Sequence, residues 1–384
     1  MTLKQDQIRG CLFGGAVGDA LGYPVEFMRE KKIFRTYGSK GICAYDPDPY
    51  SDGQALISDD TQMVLFTANG LLNAQTQNSL DGTQTPARVY IQKAYQDWLI
   101  TQETIFERRS KMADTWKKCT WLADVPELYE RRAPGTTCLN ALKEQYRMNS
   151  VKDDYVKMPV NTSKGCGGVM RAAPMGLVAF DDIRMADYEG AQAAAITHGH
   201  SLGYMPAAVL THIIQRIVFP EDEKQTLKQM IIEAEDTVKE IFAGDDYLNT
   251  LINIIDLAVD LSENTDSDLA NIRRLGEGWV AEEALGIALY CSLKYQNDFS
   301  AAVTVSVNHN GDSDSTGAIT GNIVGALLGY SQIDDSWKQH LELDSVILEM
   351  ADDLAKGCPK VKDGCIEDKE WRRKYIDAQW KAEV

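Results

Sequence analysis

No apolar run in this chain is long enough to cross a bilayer, no two cysteines form a C-x-x-C pair, and basic residues are scarce. Each shortage excludes something. The apolar stretch that begins at Gly317 is too short for a membrane helix, which needs roughly 20 such residues. Lys and Arg number 39 against 57 Asp and Glu, a net charge of −18, so no clustered basic surface for nucleic acid or an anionic membrane is expected. The eight cysteines are scattered, and the residues after Met1 are polar, without the hydrophobic region of a secretory signal. Reduced thiols and a cytoplasmic location follow as expectations. Strand signals are few and short, and there is no sequence repeat, low-complexity tract or linker.

What is present points to helices. A hydrophobic content of 44% and a mean hydropathy of −0.30 belong to a soluble globular chain with ample core. Apolar residues recur at helical spacing from Val64 to Leu72 and from Pro86 to Ile100. The same spacing marks 138–147, 184–197, 204–218, 222–243, 247–261, 280–294, 299–307, 338–355 and 367–381. Loops are expected over Gly38–Gly53 and Val151–Gly168, and an irregular, charged segment over 103–135. The expected fold is all-α, a single domain over residues 1–384.

Two of these helices carry glycine at every fourth position: Gly10, Gly14, Gly18 and Gly22, then Gly317, Gly321, Gly325 and Gly329. Residues four apart share one helical face, so each helix presents a bare ridge for a closely approaching backbone. Glycine costs roughly 1 kcal/mol relative to alanine inside a helix, which makes the pattern a packing requirement. The first helix, with Asp6 as its expected cap, should therefore lie against the helix 317–329.

Polar clusters stand at the entrances to helices. Ser58, Asp59, Asp60 and Thr61 precede one, and Asp312, Ser313, Asp314 and Ser315 precede another. Capping explains a single Asp or Ser at a helix start. Four acids in one buried place would repel unless cations neutralise them, and an all-oxygen donor set suits Mg²⁺, Mn²⁺ or Ca²⁺. On the residues alone, a shared metal site and two capped helix starts weigh about equally. Asp312 to Gly317 also matches the opening of a calcium-binding EF-hand loop, but position twelve is Ile323, where a bidentate Glu is required. A haloacid-dehalogenase-type nucleophile fails too, since His309, Asn310 and Gly311 stand where a hydrophobic strand should lead in. A third cluster, SKGCGGVMR from Ser163 to Arg171, has the glycines and the Lys164 charge to approach phosphate, without Walker A spacing. His198 and His200 are expected to close a helix, where histidine suits the dipole. Cys166 has no base partner visible in the sequence.

Taken in order, these motifs resemble the ADP-ribosylglycohydrolase family. The resemblance rests on GCLFGGAVGDALG from Gly10 to Gly22 with Glu26, then Ser58–Thr61, Ser163–Arg171, Thr197 with His198, and Gly311–Gly317. It spans about residues 8–330. It implies an all-α domain with two Mg²⁺ ions, Mn²⁺ being the alternative, at the base of a cleft. By position the metal ligands would be Ser58, Asp59, Asp60, Asp312, Asp314 and Ser315; Ser58 and Ser315 stand where the family commonly has Thr, keeping the hydroxyl. Ser163, Lys164 and Gly165 would cradle the diphosphate, with Gly135 contributing and His198 near the ribose. Glu26 would sit on a loop over the cleft, and Glu26, Asp60 and Asp314 are the catalytic candidates. Lys164 replaces a Tyr of the serine-specific branch.

The implied activity is hydrolysis of the bond joining ADP-ribose to a protein side chain, most simply arginine-linked. Serine-linked or other O-linked ADP-ribose, or binding without cleavage, are the alternatives. The implied partners are ADP-ribose and an ADP-ribosylated protein, with no nucleic acid or membrane, and the chain is expected to be a monomer.

Overall fold

Backbone hydrogen bonding among the described residues (1–47, 53–112, 116–220 and 225–378 of the computed structural model) is helical, with three isolated β-bridges and no named strand. In chain order the helices are α1 (Leu3–Gly22), α2 (Glu30–Tyr37), α3 (Asp59–Asp81), α4 (Ala87–Glu103), α5 (Thr136–Met148), α6 (Ile183–Ala195), α7 (Ser201–Val218) and α8 (Leu227–Ile241). They continue as α9 (Leu248–Ser262), α10 (Asp268–Leu275), α11 (Ala281–Lys294), α12 (Phe299–Val307), α13 (Ser313–Leu328), α14 (Asp335–Lys338), α15 (Asp344–Lys356) and α16 (Lys369–Tyr375). The all-α expectation is met. The segment 103–135 is irregular as expected, built of short 3-10 turns among its described residues.

The centre of the structure is the antiparallel pair α1 and α13. A methyl group built on Gly10, Gly14 or Gly18 would stand 2.1, 2.4 or 2.0 Å from the carbonyl oxygens of Gly325, Gly321 and Gly317. Gly22 meets the Ser313 carbonyl in the same way, at 2.3 Å. Hydrogen is the only side chain that fits between these backbones, so both ridges are consumed by one interface. Asn322 fastens it further, its side-chain amide donating to the Cys11 carbonyl at 2.8 Å. Around this pair one connected cluster of buried apolar side chains runs from Ile8 to Ala378.

Some boundaries differ from expectation. Thr2, not Asp6, caps α1 by accepting from the Gln5 N–H at 3.1 Å; Asp6 instead accepts from the Ser331 N–H at 2.9 Å. The helix expected over 338–355 starts only at Asp344, because His340 and Leu343 take left-handed φ of 66° and 60°. There the chain bridges to Ala55, whose N–H donates to the His340 carbonyl at 2.7 Å. The last helix stops at Tyr375, and residues 379–381 of the expected helix lie outside the described residues, as do 48–52 of the expected loop and 222–224 of an expected helix. Helices α2 and α10 carry no expectation from the sequence; each is eight residues long, too short for its period to stand out.

The α1–α13 contact yields a stability prediction. Gly321→Ala places a methyl 2.0 Å from the Gly14 carbonyl, and Gly321→Leu adds more bulk, so the helices must separate. Both variants should be destabilised, by ~1–3 kcal/mol or more, in chemical or thermal denaturation. Wild-type midpoints for both would overturn the close-approach account.

Candidate active site

Because α1 and α13 run antiparallel, the C-terminal end of α1 lies beside the N-terminal end of α13. That places Asp19 and the Glu26 turn next to Asp312, Asp314 and Ser315. Helix α3 starts at the same spot. Asp19, fully buried within α1, accepts hydrogen bonds from the backbone N–H groups of Ser58 (3.0 Å) and Thr61 (3.0 Å) and from the Thr61 hydroxyl. It thereby fastens the start of α3 to the middle of the molecule. Ser58 caps α3, its hydroxyl accepting from the Asp60 N–H at 3.1 Å, while Asp59 accepts from the Gly135 N–H at 3.3 Å. At α13 the cap is Asp312, accepting from the Ser315 N–H at 3.3 Å. Both capping roles considered for these residues are therefore real, and the capped helix starts are also brought together. Ser315 lies beside Asp60, Asp314 lies beside both Asp312 and Glu26, and all of these acids are buried.

Burial and mutual repulsion dominate the electrostatics. Glu26 is pushed up to about 9, first by burial and then by Asp312, Asp59 and Asp19. Asp59 rises to about 8, mainly by burial, with Asp19 and Asp312 adding repulsion against the opposing Gly135 hydrogen bond. Asp60 and Asp314 are held well above the carboxylate range, by burial first and then by neighbouring acids. Asp19 rises to about 6 through burial, restrained by its bonds to Thr61 and Ser58. Such a group of acids stays ionised only if cations replace the protons.

The donor chemistry fits divalent cations. Asp60 Oδ2 and Glu26 Oε2 are buried oxygens without a hydrogen-bond partner, and the surrounding donors are carboxylates and serine hydroxyls. Hard cations take such donors. Among the described residues, no three His, Cys, Asp or Glu side chains already stand at ligand geometry around one point. The acids thus surround a region, and the unpaired oxygens, rather than a finished coordination shell, are what favour a metal.

The wall facing these acids is the segment Ser163–Arg171. It pairs antiparallel with the entrance to α11, the Cys166 N–H donating to the Trp279 carbonyl at 3.3 Å and the Ala281 N–H to the Lys164 carbonyl at 2.9 Å. Arg171 holds the segment from behind. Its buried guanidinium donates to the Gly167 carbonyl and the Thr197 hydroxyl, both at 2.6 Å, over the Tyr95 ring. Thr197 in turn bonds His198 Nδ1 at 2.9 Å, which directs Nε2 toward the Gly165–Gly167 turn. His198 does not close a helix as expected, since α6 ends at Ala195, and His200 caps α7 by accepting from the Leu202 N–H at 3.1 Å. Burial, reinforced by Arg171, drives His198 down to about 3, so it is a neutral imidazole.

Two further residues of this segment behave in ways the sequence did not indicate. The Lys164 ammonium is paired with the buried carboxylate of Glu282, so its charge is partly spent within the protein. The Cys166 thiol donates to Asp312 Oδ2 at 2.7 Å; burial and the acids hold it well above the usual thiol range, which makes it a poor nucleophile. Asp19, Arg171 and Glu282 have structural parts in this site that sequence reasoning did not assign. A signal existed for Asp19, a lone acid inside a glycine-rich apolar helix, and for Arg171, a charge closing a glycine-rich run.

The comparisons agree with this geometry. A family profile described as ADP-ribosylglycohydrolase matches residues 1–364. ADP-ribosylhydrolase ARH3 of Bos taurus is 22% identical over 365 residues, covering 88% of each chain. ADP-ribosyl-[dinitrogen reductase] glycohydrolase of Rhodospirillum rubrum is 22% identical over 347 residues, covering 88% of this chain and 91% of that one. A solved structure titled ADP-ribosylglycohydrolase-related protein complex superposes with a TM-score of 0.63 at 21% identity, over 93% of this chain and 99% of its own. With its glycine-locked helices, converging acids and a profile match over nearly its whole length, this chain belongs to the ADP-ribosylglycohydrolase family, hydrolases of glycosyl bonds.

Proposed function

We propose that this chain is a divalent-metal-dependent hydrolase that removes ADP-ribose from modified protein side chains, with the arginine-linked N-glycosidic bond as its substrate. The observation that carries the metal dependence is the pair of unpaired, buried carboxylate oxygens, on Asp60 and Glu26, among acids that repel one another. Asp59, Asp60, Asp312 and Asp314, with the hydroxyls of Ser58 and Ser315, would hold two Mg²⁺ or Mn²⁺ ions. When bound, such ions polarise ribose hydroxyls and lower the pKa of a coordinated water.

The remaining parts belong to the protein. Ser163, Lys164 and Gly165 would cradle the diphosphate, although the Ser163 N–H already donates to Asn161 Oδ1 and the Gly165 N–H to the Ser163 hydroxyl, and neutral His198 would offer Nε2 to a ribose hydroxyl. In the reaction the water oxygen bonds to C1 of the ribose as the C1–N bond breaks and its electron pair passes to nitrogen. A carboxylate takes the water proton, and a proton returns to the leaving nitrogen. Positive charge that builds on the sugar is stabilised by the acids below it. Glu26, with its raised pKa and its place at the cleft edge, is the group suited to carry that proton. Arginine over serine is favoured by Lys164, which replaces the Tyr of the serine-specific branch, and by an acidic cleft that tolerates a guanidinium.

Three measurements test this function. Chelation should abolish release of ADP-ribose, as should Asp60→Ala or Asp314→Ala; undiminished turnover in chelator would overturn the metal dependence. Matched peptides carrying ADP-ribose on Arg or on Ser should be cleaved with the Arg peptide faster; the reverse order would move the substrate to the O-linked class, and tight binding without release to a non-catalytic module.

The third is pH dependence. Carboxyls whose pKa is raised on folding, Glu26 to about 9 and Asp59 to about 8, bind protons that the unfolded chain releases. Their contribution therefore becomes unfavourable as pH climbs from the ordinary carboxylate range toward those values. Cation-free protein should melt at falling temperature from about pH 5 to about pH 8, and Mg²⁺ or Mn²⁺ should flatten the slope. A melting temperature that rises with pH in chelator, or a slope indifferent to cations, would contradict the proposed electrostatics.

A further inference from the structure

On the outer side of Glu26 lies a cavity of about 150 Å³ whose lining packing does not explain. Phe27 is 76% exposed and Trp279 is 40% exposed, yet their rings stack on each other with centroids 5.9 Å apart and planes at 23°. Beside them Arg29 Nη1 meets Glu277 Oε1 at 3.0 Å, with both side chains largely in solvent. Exposed stacked aromatics and an exposed ion pair contribute little to stability, so folding does not require them here.

The position of this rim is set by both halves of the site. The Glu277 carbonyl accepts from the Asp312 N–H at 2.8 Å, and the Trp279 carbonyl accepts from the Cys166 N–H. Gly311, at φ +118°, allows the first contact, since a methyl there would stand 1.9 Å from the Glu277 carbonyl. The inner wall is Glu26, whose buried Oε2 has no partner. A group held in this cavity therefore lies against Glu26, next to the clustered acids.

We propose that this rim is the subsite for the guanidinium of an arginine-linked substrate, with Glu277 as its carboxylate acceptor and the Phe27–Trp279 pair as its stacking surface. Arg29 shows the complementarity directly, because it is a guanidinium already lying against this carboxylate at the cavity edge. A planar guanidinium forks onto a carboxylate and lies flat on an aromatic face, whereas a compact ammonium lacks the fork and a neutral serine oxygen lacks the charge. Substrate would displace Arg29 from an exposed, weak pair. The inference rests on the arginine-linked reading of the proposed function and names the residues that make the choice.

The test uses the full chain with ADP-ribose and Mg²⁺ present, and measures binding of agmatine by calorimetry, with putrescine, of equal charge and chain length, as the ammonium control. Agmatine should bind and putrescine should bind more weakly. Arg29→Met should tighten agmatine about two- to fivefold by removing the internal competitor. Glu277→Gln, at an exposed position and with its backbone contact kept, should weaken agmatine roughly tenfold or more. In turnover, Glu277→Gln should raise KM for the arginine-linked peptide roughly tenfold more than for the serine-linked one. Agmatine that fails to bind, binds Glu277→Gln equally well, or binds Arg29→Met more weakly would overturn the subsite. The agmatine pattern as expected, with no ADP-ribose released from either peptide, would support the subsite while overturning the hydrolase function.

Discussion

Two helix backbones can touch only where both lack side chains, and this protein depends on such a contact. The glycines of α1 and α13 face one another's carbonyl oxygens, leaving room for hydrogen alone. A small displacement along the axes would set glycine against the side chains that separate the glycines, so the contact defines register as well as distance. Register then determines which residues meet at the shared end: Asp19 and the Glu26 turn on one strand of chain, Asp312, Asp314 and Ser315 on the other. The cost in helix propensity is met by the packing that follows from it.

Once that end is assembled, electrostatics shapes it. Buried acids repel, and each raised pKa expresses first the cost of burying a charge and then that of keeping it among like charges. Asp19 is the exception that holds the arrangement together, because its oxygens are taken up by N–H and O–H donors of the α3 start. Arg171 does the equivalent work on the opposite wall, tying the glycine-rich turn and Thr197 into one unit. Asp19, through its oxygens, and Arg171, through both terminal nitrogens, hold the walls, and unpaired oxygens of Asp60 and Glu26 stand among the clustered acids. That division separates the supporting residues from those available to a cation or a substrate.

The features proposed to bear on substrate choice lie at the rim. Phe27, Arg29, Glu277 and Trp279 come from two turns remote in sequence. Nothing in their local sequence pairs them. They meet because the glycine-permitted contact at Gly311 brings the 277–279 turn over the loop that opens α13. Lys164 is a related case. From the sequence it is a free positive charge for phosphate, and in the fold it is shared with Glu282.

The sequence by itself determined the helical class, the two ridges and their partnership, since four-residue spacing is a property of one helix and needs no partner to be seen. It also marked the acids before α3 and α13, because helix starts and their caps are local. Short helices such as α2 and α10 escaped it, having too few turns for a period, and the early start assigned to α15 failed where left-handed His340 and Leu343 answer to a distant bridge with Ala55. Only the tertiary structure decided that Asp19 binds the α3 start, that His198 is buried and neutral, that Cys166 leans on Asp312, and that an aromatic rim faces Glu26. Each of those depends on contacts between residues far apart in the chain, and such contacts leave no periodic trace in a sequence.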